Sequence, residues 1–198
     1  VRRLAGAGRS EITLLGQTVN SYRHDDGGRT AGLAELLERV AGVRGVRRVR
    51  FVTSHPSGFT DDIFRAMRDV PNVCEYLHVP AQSGSDAVLR RMNRGYTRSE
   101  YDDLVDRARA IVPGIAVAGD FIVGFPGETE ADHAASADLI RRSGYKNCFV
   151  FKYSPRPGTT ADKRHADTVA DEVKQRRNVE LLAVQEEISA ELSDALLG

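Results

Sequence analysis

The sequence is poor in cysteine, has no tryptophan and carries no net charge. Its two cysteines, Cys74 and Cys148, lie far apart with no C-x-x-C or C-x-x-x-C spacing, so they cannot by themselves build a zinc or iron–sulfur site. No run approaches the roughly 20 apolar residues of a membrane-spanning helix, and the first residues lack the apolar middle of a secretory signal. The balance of 28 basic and 28 acidic residues argues against nucleic-acid binding through overall charge. These absences predict a cytoplasmic globular protein with core thiols, no membrane partner and no metal site of its own.

Five apolar runs of strand length are present. They are "EITLLG" from Glu11, "VRFVTS" from Val49, "EYLHVP" from Glu75, "IAVAGDFIVGF" from Ile115 and "CFVFKYS" from Cys148. Because these runs are apolar almost throughout, they predict strands of a parallel sheet that are buried on both faces.

Segments with helical periodicity separate the runs. The first has Leu33, Leu36, Leu37 and Val40 at helical spacing, and similar patterns begin at Ile63 and Tyr101. Hydroxyl residues at positions 60, 97 and 129 precede acidic residues, which is typical of helix starts. The alternation of strand and helix predicts right-handed βα units, and a parallel barrel is favoured over an open sheet. From about residue 168 onward the pattern predicts one long terminal helix with residues 173, 181, 184, 188, 192 and 195 on one face.

Polar residues follow every predicted strand. Since ligands of parallel βα barrels bind at the carboxyl ends of the strands, these residues are candidates for one shared site. They lie in the segments "GQTVNSY" (16–22), "TSHP" (53–56), "QSGSD" (82–86), "GFPGET" (124–129) and "KYSPR" (152–156). Simpler roles stay open at this point: Ser85 and Asp86 could cap a helix, Gly124 and Gly127 could permit a turn, and His55 could be a packed imidazole.

Two arginine clusters suggest contact with RNA. The cluster Arg44-x-x-Arg47-Arg48-x-Arg50 precedes a strand and is interpreted as solvated surface. The cluster Arg90-Arg91-x-x-Arg94 follows the Gln-Ser-Gly segment and is the better candidate for an RNA contact.

The same motifs, together with "LHVPAQSGSDAVLRRMNRGYTRSEY" (77–101), "DFIVGFPGETE" (120–130) and "FKYSPRPGT" (151–159), resemble the radical-SAM methylthiotransferases over nearly the whole chain. The match is most similar to the tRNA enzymes of the MiaB type, which add a methylthio group to carbon 2 of isopentenyl-adenosine next to the anticodon. The resemblance implies an α/β fold, namely a partial (β/α)6 TIM-like radical-SAM barrel. It also implies S-adenosylmethionine, two 4Fe–4S clusters in the full-length protein, an external electron donor and a tRNA anticodon stem-loop as partner.

The resemblance also implies domains and site residues. Residues 1–167 are expected to form strands 2 to 6 of the barrel, and residues 168–198 a helix leading toward a TRAM RNA-binding module. Candidate residues for binding the cofactor are Gln17, Asn20, Ser54, His55, Gln82, Ser83, Asp120, Gly124 and Glu128. Lys152, Tyr153 and Arg156 are candidates for the substrate side, and no catalytic residue is predicted.

One departure from the family matters. The family's C-x-x-x-C-x-x-C motif follows the first barrel strand, and both are expected to lie before Val1. This chain is therefore expected to ligate no cluster and to be inactive alone. The alternatives are a methylthiotransferase for threonylcarbamoyl-adenosine tRNA or a ribosomal protein, a cluster-free βα-barrel enzyme that uses His55, Asp120 and Lys152, and an inactive fragment.

Overall fold

The computed structural model describes residues 1–52 and 54–197, without the side chains of residues 195–197. The chain divides into two compact units. Unit 1 contains Val1–Val79 and Asp103–Ala116, and unit 2 contains Pro80–Asp102 and residues 117–198. The predicted domain boundary between residues 167 and 168 stays a prediction.

Seven strands and eight α-helices are formed within the described residues. The strands are β1 (Glu11–Leu14), β2 (Arg23–Asp25), β3 (Thr30–Gly32), β4 (Arg48–Phe51), β5 (Tyr76–His78), β6 (Ala116–Val123) and β7 (Asn147–Lys152). The helices are α1 (Arg2–Gly6), α2 (Leu33–Ala41), α3 (Asp61–Asp69), α4 (Asp86–Arg91), α5 (Arg98–Ile111), α6 (Glu130–Ser143), α7 (Thr160–Arg164) and α8 (Asp171–Leu197). All five predicted strands are confirmed. The hairpin of β2 and β3 was not predicted, because neither strand has an apolar run.

Unit 1 is built on a parallel pair of strands. β1 pairs with β4 in the register Glu11↔Arg48 to Leu14↔Phe51. Helices α2 and α3 pack against each other, and their buried residues include Leu37, Val40, Phe64 and Met67. The helical spacing of these apolar residues therefore marks the face that the core buries.

Unit 2 is built on the parallel pair β6 and β7. The register runs from Ala118↔Asn147 to Val123↔Lys152. The long terminal helix α8 packs against both β7 and α6, and its predicted apolar face buries Leu181, Val184 and Ile188. The predicted long C-terminal helix is therefore confirmed, whereas the Ala195 side chain lies outside the described residues.

Two of the three helix-start signals form capping hydrogen bonds. Thr97 and Glu100 bond reciprocally, with the Thr97 N–H donating to the Glu100 carboxylate at 2.7 Å and the Glu100 N–H donating to Thr97 Oγ1 at 3.2 Å. Thr129 forms the same kind of capping box with Asp132. Thr60 precedes α3, but its side chain makes no capping hydrogen bond.

The prediction that the strands are buried on both faces is wrong for β1 and β7. Glu11 and Thr13 of β1 are exposed, and Phe149 and Phe151 of β7 are each 54% exposed although they are apolar. Burial on both faces holds best for β6. Apolar content alone cannot separate an edge strand from a central one, because both tolerate β-branched and aromatic residues.

The two cysteines have different surroundings. Cys148 is buried and Cys74 is partly exposed, and burial raises the pKa of the Cys148 thiol to about 12. Within the described part of the chain, no helix is both long and apolar enough to cross a membrane.

Candidate functional site

A cavity of about 630 Å³ lies in unit 2, beside the carboxyl ends of β6 and β7. Its lining residues are Gln82, Arg94, Asp120, Ile122, Phe151, Lys152, Tyr153, Ser154, Arg156, Thr159 and Ala161. Five of these, Gln82, Asp120, Lys152, Tyr153 and Arg156, are site residues predicted from the sequence. A cavity of this volume suits a ligand of nucleoside size, since small-molecule sites span about 300 to 1,000 Å³.

Gln82 has an unusual backbone conformation at the edge of this cavity. Its φ is +67°, and the Ser83 N–H donates to the Ala81 carbonyl across it at 2.8 Å, which makes a γ-turn. The turn is held because the Gln82 N–H donates to the Asp120 carbonyl at 2.8 Å and the Ile122 N–H donates to the Gln82 carbonyl at 2.9 Å. A residue other than glycine at positive φ is strained, and such residues cluster at ligand sites.

The wall of the cavity follows the two-residue repeat of the strands. Asp120 and Ile122 lie on one face of β6, and their register partners on β7 are Phe149 and Phe151. Ile122 and Phe151 give the cavity an apolar wall beside the Asp120 carboxylate. This combination suits a ligand with both a flat apolar part and hydrogen-bonding groups.

Tyr153 and Lys152 continue β7 into the cavity. The Tyr153 N–H donates to the Val123 carbonyl at 2.8 Å, and its ring lies 5.0 Å from the Phe125 ring. Desolvation, assisted by the nearby carboxylate of Asp167, raises the pKa of the Tyr153 phenol. The Lys152 Nζ donates to Gln175 on α8 at 2.8 Å. Both side chains are therefore anchored by groups outside the cavity wall.

The residues after Gln82 fasten the segment to α6. Ser83 is buried, and its Oγ lies 3.3 Å from the Ser136 Oγ. A Cβ on Gly84 would lie 2.1 Å from the Ala135 carbonyl oxygen, so only glycine fits there. Ser85 caps α4 through the Val88 N–H and also donates to Asp132. These contacts hold the segment that follows Gln82 against α6.

Gly124 and Glu128 join the loop after β6 to α8. Gly124 has a φ of +72°, and a Cβ there would lie 2.3 Å from the Lys174 Cγ. The Glu128 carboxylate accepts from the Gly124 N–H at 2.6 Å and from Arg177 at 2.7 Å. Desolvation by burial raises the pKa of Glu128 against the lowering effect of its hydrogen bonds. Gly124 and Glu128 therefore shape the loop, and their predicted cofactor contacts stay predictions.

Unit 1 contains the other predicted site residues. The Asn20 side chain is fully buried and spans the His55 backbone, donating to its carbonyl at 2.8 Å and accepting from its N–H at 3.0 Å. A Cβ on Gly58 would lie 2.5 Å from the Asn20 Nδ2. The His55 Nδ1 accepts from the Ser57 N–H at 3.2 Å. The hydrogen bonds between Asn20 and His55 thus join the motifs "GQTVNSY" and "TSHP".

Two further residues of unit 1 are in contrasting positions. Gln17 is exposed. Ser54 is buried, and its Oγ has no hydrogen-bond partner among the described residues. Thr53, which belongs to the same motif, lies outside the described residues. The roles predicted for Gln17 and Ser54 stay predictions.

Several residues of the cavity were not predicted from the sequence. Ile122 and Phe151 could have been found by counting two residues from Asp120 and Phe149 along each strand. Arg94 belongs to the second arginine cluster, whose pattern in the sequence indicates an RNA contact rather than a place in this cavity. Its Nε is buried without a hydrogen-bond partner among the described residues.

Neither cysteine lies in a group of metal ligands. In the described ranges there is no group of three His, Cys, Asp or Glu residues that could hold a metal ion. Cys148 lies in unit 2 and Cys74 in unit 1, and the chain has no third cysteine. Iron–sulfur clusters are commonly held by four cysteine thiolates, and the two thiols of this chain cannot complete such a set by themselves.

The sequence of this chain matches the model of a known protein family. The model of the radical SAM superfamily matches residues 1–140. The chain therefore belongs to the radical SAM superfamily.

Curated relatives narrow the similarity further. The chain is 51% identical over its whole length to a tRNA-2-methylthio-N(6)-dimethylallyladenosine synthase of Rhodopirellula baltica. It is 47% identical, again over its whole length, to the enzyme of that name from Acetivibrio thermocellus. The chain spans 41% of the length of each of these relatives.

Solved structures support the fold. Coproporphyrinogen III oxidase from Escherichia coli, described as a radical SAM enzyme, aligns with a TM-score of 0.59 at 18% identity, covering 79% of this chain and 36% of its own. Methylornithine synthase aligns with a TM-score of 0.59 at 17% identity, covering 93% of this chain and 52% of its own. At such low identity these structures establish the fold alone, and the predicted fold class is confirmed.

Proposed function

We propose that this chain is part of a tRNA methylthiotransferase that adds a methylthio group to carbon 2 of dimethylallyl-adenosine, also called isopentenyl-adenosine, next to the anticodon. The observation that carries the proposal is the identity of 51% and 47%, over the whole chain, to synthases of that name. The cavity in unit 2 supports it, because polar and apolar groups there suit a nucleoside.

S-Adenosylmethionine fits this cavity by size and by chemistry. Its ribose hydroxyls are hydrogen-bond donors for the Asp120 carboxylate and the Gln82 carboxamide oxygen, and its carboxylate matches the guanidinium of Arg94. Together with a reduced 4Fe–4S cluster, the cofactor supplies the radical chemistry that functionalises an unreactive carbon. The residues of this chain bind and orient the cofactor and the substrate, and they exclude water from the cavity.

The substrate side of the cavity is assigned to Lys152, Tyr153 and Arg156. Ile122 and Phe151 add the apolar wall, which matches the five-carbon alkenyl group of dimethylallyl-adenosine. The Gln82 backbone is held by two hydrogen bonds to β6, so the point from which its side chain leaves the backbone is fixed before a ligand arrives. Such preorganisation lowers the entropy cost of binding.

Cluster ligands are proposed to come from outside this chain. The family-length protein, meaning a polypeptide that contains this chain and extends to the length of its curated relatives, is expected to hold two 4Fe–4S clusters. None is ligated by the residues of this chain, since their two cysteines do not fit a cluster. We also propose that the family-length protein receives electrons from an external donor, binds a tRNA anticodon stem-loop and is cytoplasmic.

The test uses the family-length protein with its clusters reconstituted and an external reductant supplied. Incubation with S-adenosylmethionine and tRNA carrying isopentenyl-adenosine is expected to yield the 2-methylthio nucleoside, measured by mass spectrometry of digested tRNA. Product found only with threonylcarbamoyl-adenosine tRNA, or only on a ribosomal protein, would contradict the proposed substrate.

A second experiment tests whether the cluster ligands come from outside this chain. The 198-residue chain alone, treated with iron and sulfide, is expected to gain no cluster absorbance and to leave S-adenosylmethionine intact. Cofactor cleavage by this chain alone would show that the cluster ligands have been assigned wrongly.

A further inference from the structure

A second cavity in unit 2 is rich in arginine. Its volume is about 460 Å³, and it is lined by Ala87, Arg90, Arg91, Asn93, Thr160, Arg164 and His165. We call it the arginine cavity. None of these lining residues is acidic, so the wall presents three guanidinium groups, one imidazole and two neutral polar side chains.

The three arginines differ in how they are held. Arg91 is partly buried and fixed: it donates to the Gly127 carbonyl at 3.1 Å and lies 3.6 Å from the Asp132 carboxylate. Its Nε is buried with no hydrogen-bond partner among the described residues. Arg90 and Arg164 are exposed.

Among the described residues, Asp132 provides the only carboxylate that pairs with an arginine of this wall. This carboxylate also accepts hydrogen bonds from several other groups. Asp132 accepts from the Ser85 hydroxyl and from the N–H and hydroxyl of Thr129, each at 2.9 Å. These hydrogen bonds lower the pKa of Asp132 against the raising effect of desolvation, so it stays ionised. One shared carboxylate cannot balance three guanidinium charges, and the cavity keeps an excess of positive charge.

The arginine cavity borders the cavity that holds Gln82 and Asp120. On one side, Asn93 lines the arginine cavity and its neighbour Arg94 lines the other. On the other side, Thr160 lines the arginine cavity while Thr159 and Ala161 line the other. A nucleic-acid ligand whose base lies in the first cavity can therefore reach the arginine cavity with the sugar–phosphate backbone attached to that base.

We propose that the arginine cavity binds a backbone phosphate of the RNA strand next to the nucleotide whose base enters the first cavity. This inference rests on the proposed function, because it takes the RNA as substrate. Guanidinium groups bind phosphate oxygens through paired, charge-assisted hydrogen bonds. Such contacts fix the register of the strand without reading its sequence.

The binding test compares two double variants of the family-length protein. Arg90→Ala with Arg164→Ala removes the two exposed cavity arginines. The matched control, Arg44→Ala with Arg47→Ala, removes two exposed arginines of unit 1 that line neither cavity. The probe is an isopentenylated anticodon stem-loop RNA, and its affinity is measured by fluorescence anisotropy across a range of salt concentrations.

The cavity variant is expected to bind the RNA about tenfold more weakly, with a salt dependence of log K that is shallower by about 0.7 for each phosphate that the variant no longer neutralises. Its affinity for S-adenosylmethionine and its cluster content should match those of the wild type. The control is expected to keep the wild-type affinity and slope.

Three outcomes overturn the inference. The first is a cavity variant with wild-type RNA affinity and slope, and the second is an equal loss in the control. The third is binding of inorganic phosphate that the cavity variant loses while its RNA affinity is unchanged, since the cavity would then serve free phosphate. If the wild type itself does not methylthiolate the RNA, the proposed function fails instead, which separates the two failures.

Discussion

Gln82 donates its backbone N–H to the Asp120 carbonyl at 2.8 Å, and both residues line one cavity. The bond connects a loop residue at positive φ to a buried strand. It fixes the Gln82 backbone relative to the backbone of Asp120. The cost of that arrangement is backbone strain at Gln82, which can be measured.

Replacing Gln82 with glycine is expected to stabilise the protein relative to Gln82→Ala. A residue with a Cβ at a φ of +67° is strained by about 1 to 2 kcal/mol, and glycine is not. Urea unfolding of both variants measures the difference. Asn93→Gly is the matched control. Asn93 also has positive φ, at +55°, but asparagine tolerates that region. The gain in stability of Asn93→Gly over the wild type should therefore be smaller than the gain of Gln82→Gly over the wild type. Equal midpoints for Gln82→Gly and Gln82→Ala would contradict the strain.

The buried ion pair of Glu128 and Arg177 is expected to be essential for stability. Both side chains are almost fully buried, at 1% and 4% exposure, and their charged atoms lie 2.7 Å apart. Arg177→Met leaves the Glu128 carboxylate buried without its partner, which costs about 3 to 5 kcal/mol in comparable pairs. Unfolding in urea measures the loss.

Arg176→Met is the control for this prediction. Arg176 also binds Glu130 from α8, but its side chain is 46% exposed. An exposed ion pair contributes about 0 to 1 kcal/mol, so the control should lose little. Similar losses in both variants would argue against a special role for the buried pair.

Glu130 is expected to make stability depend on pH in the acid range. Hydrogen bonds from Arg177 and Arg176 lower the pKa of Glu130 from its ordinary value of 4.5 to about 2. Because the pKa is lower in the folded state, the stabilisation is complete above pH 4.5 and is lost as the pH falls through about 2. The difference in Tm between the wild type and Glu130→Gln should therefore shrink over that interval.

A second variant checks the assignment. Glu187→Gln changes an exposed glutamate of α8 and is expected to keep the wild-type dependence of Tm on pH. A constant Tm difference between the wild type and Glu130→Gln from about pH 6 down to about pH 2 would contradict the linkage.

The sequence predicted five of the seven strands, the main helices and five of the cavity residues, because those depend on local apolar pattern and on the polar ends of strands. It did not predict that Lys174 and Arg177 would be buried in α8. Charged residues usually indicate a solvated face, and only the fold brings Asp167 and Glu128 close enough to pair with them. The γ-turn at Gln82 was equally hidden, since glutamine carries no signal for positive φ.

The central claim is that the Gln82 side chain binds S-adenosylmethionine in this cavity. The most direct measurement is the cofactor's Kd for the family-length protein, wild type against Gln82→Ala and Gln82→Gly, with iron content and cluster absorbance checked for each. Loss of one hydrogen bond predicts a Kd about five- to tenfold higher in both variants, with cluster content unchanged. An unchanged Kd in both variants would remove Gln82 from the cofactor site and contradict the account.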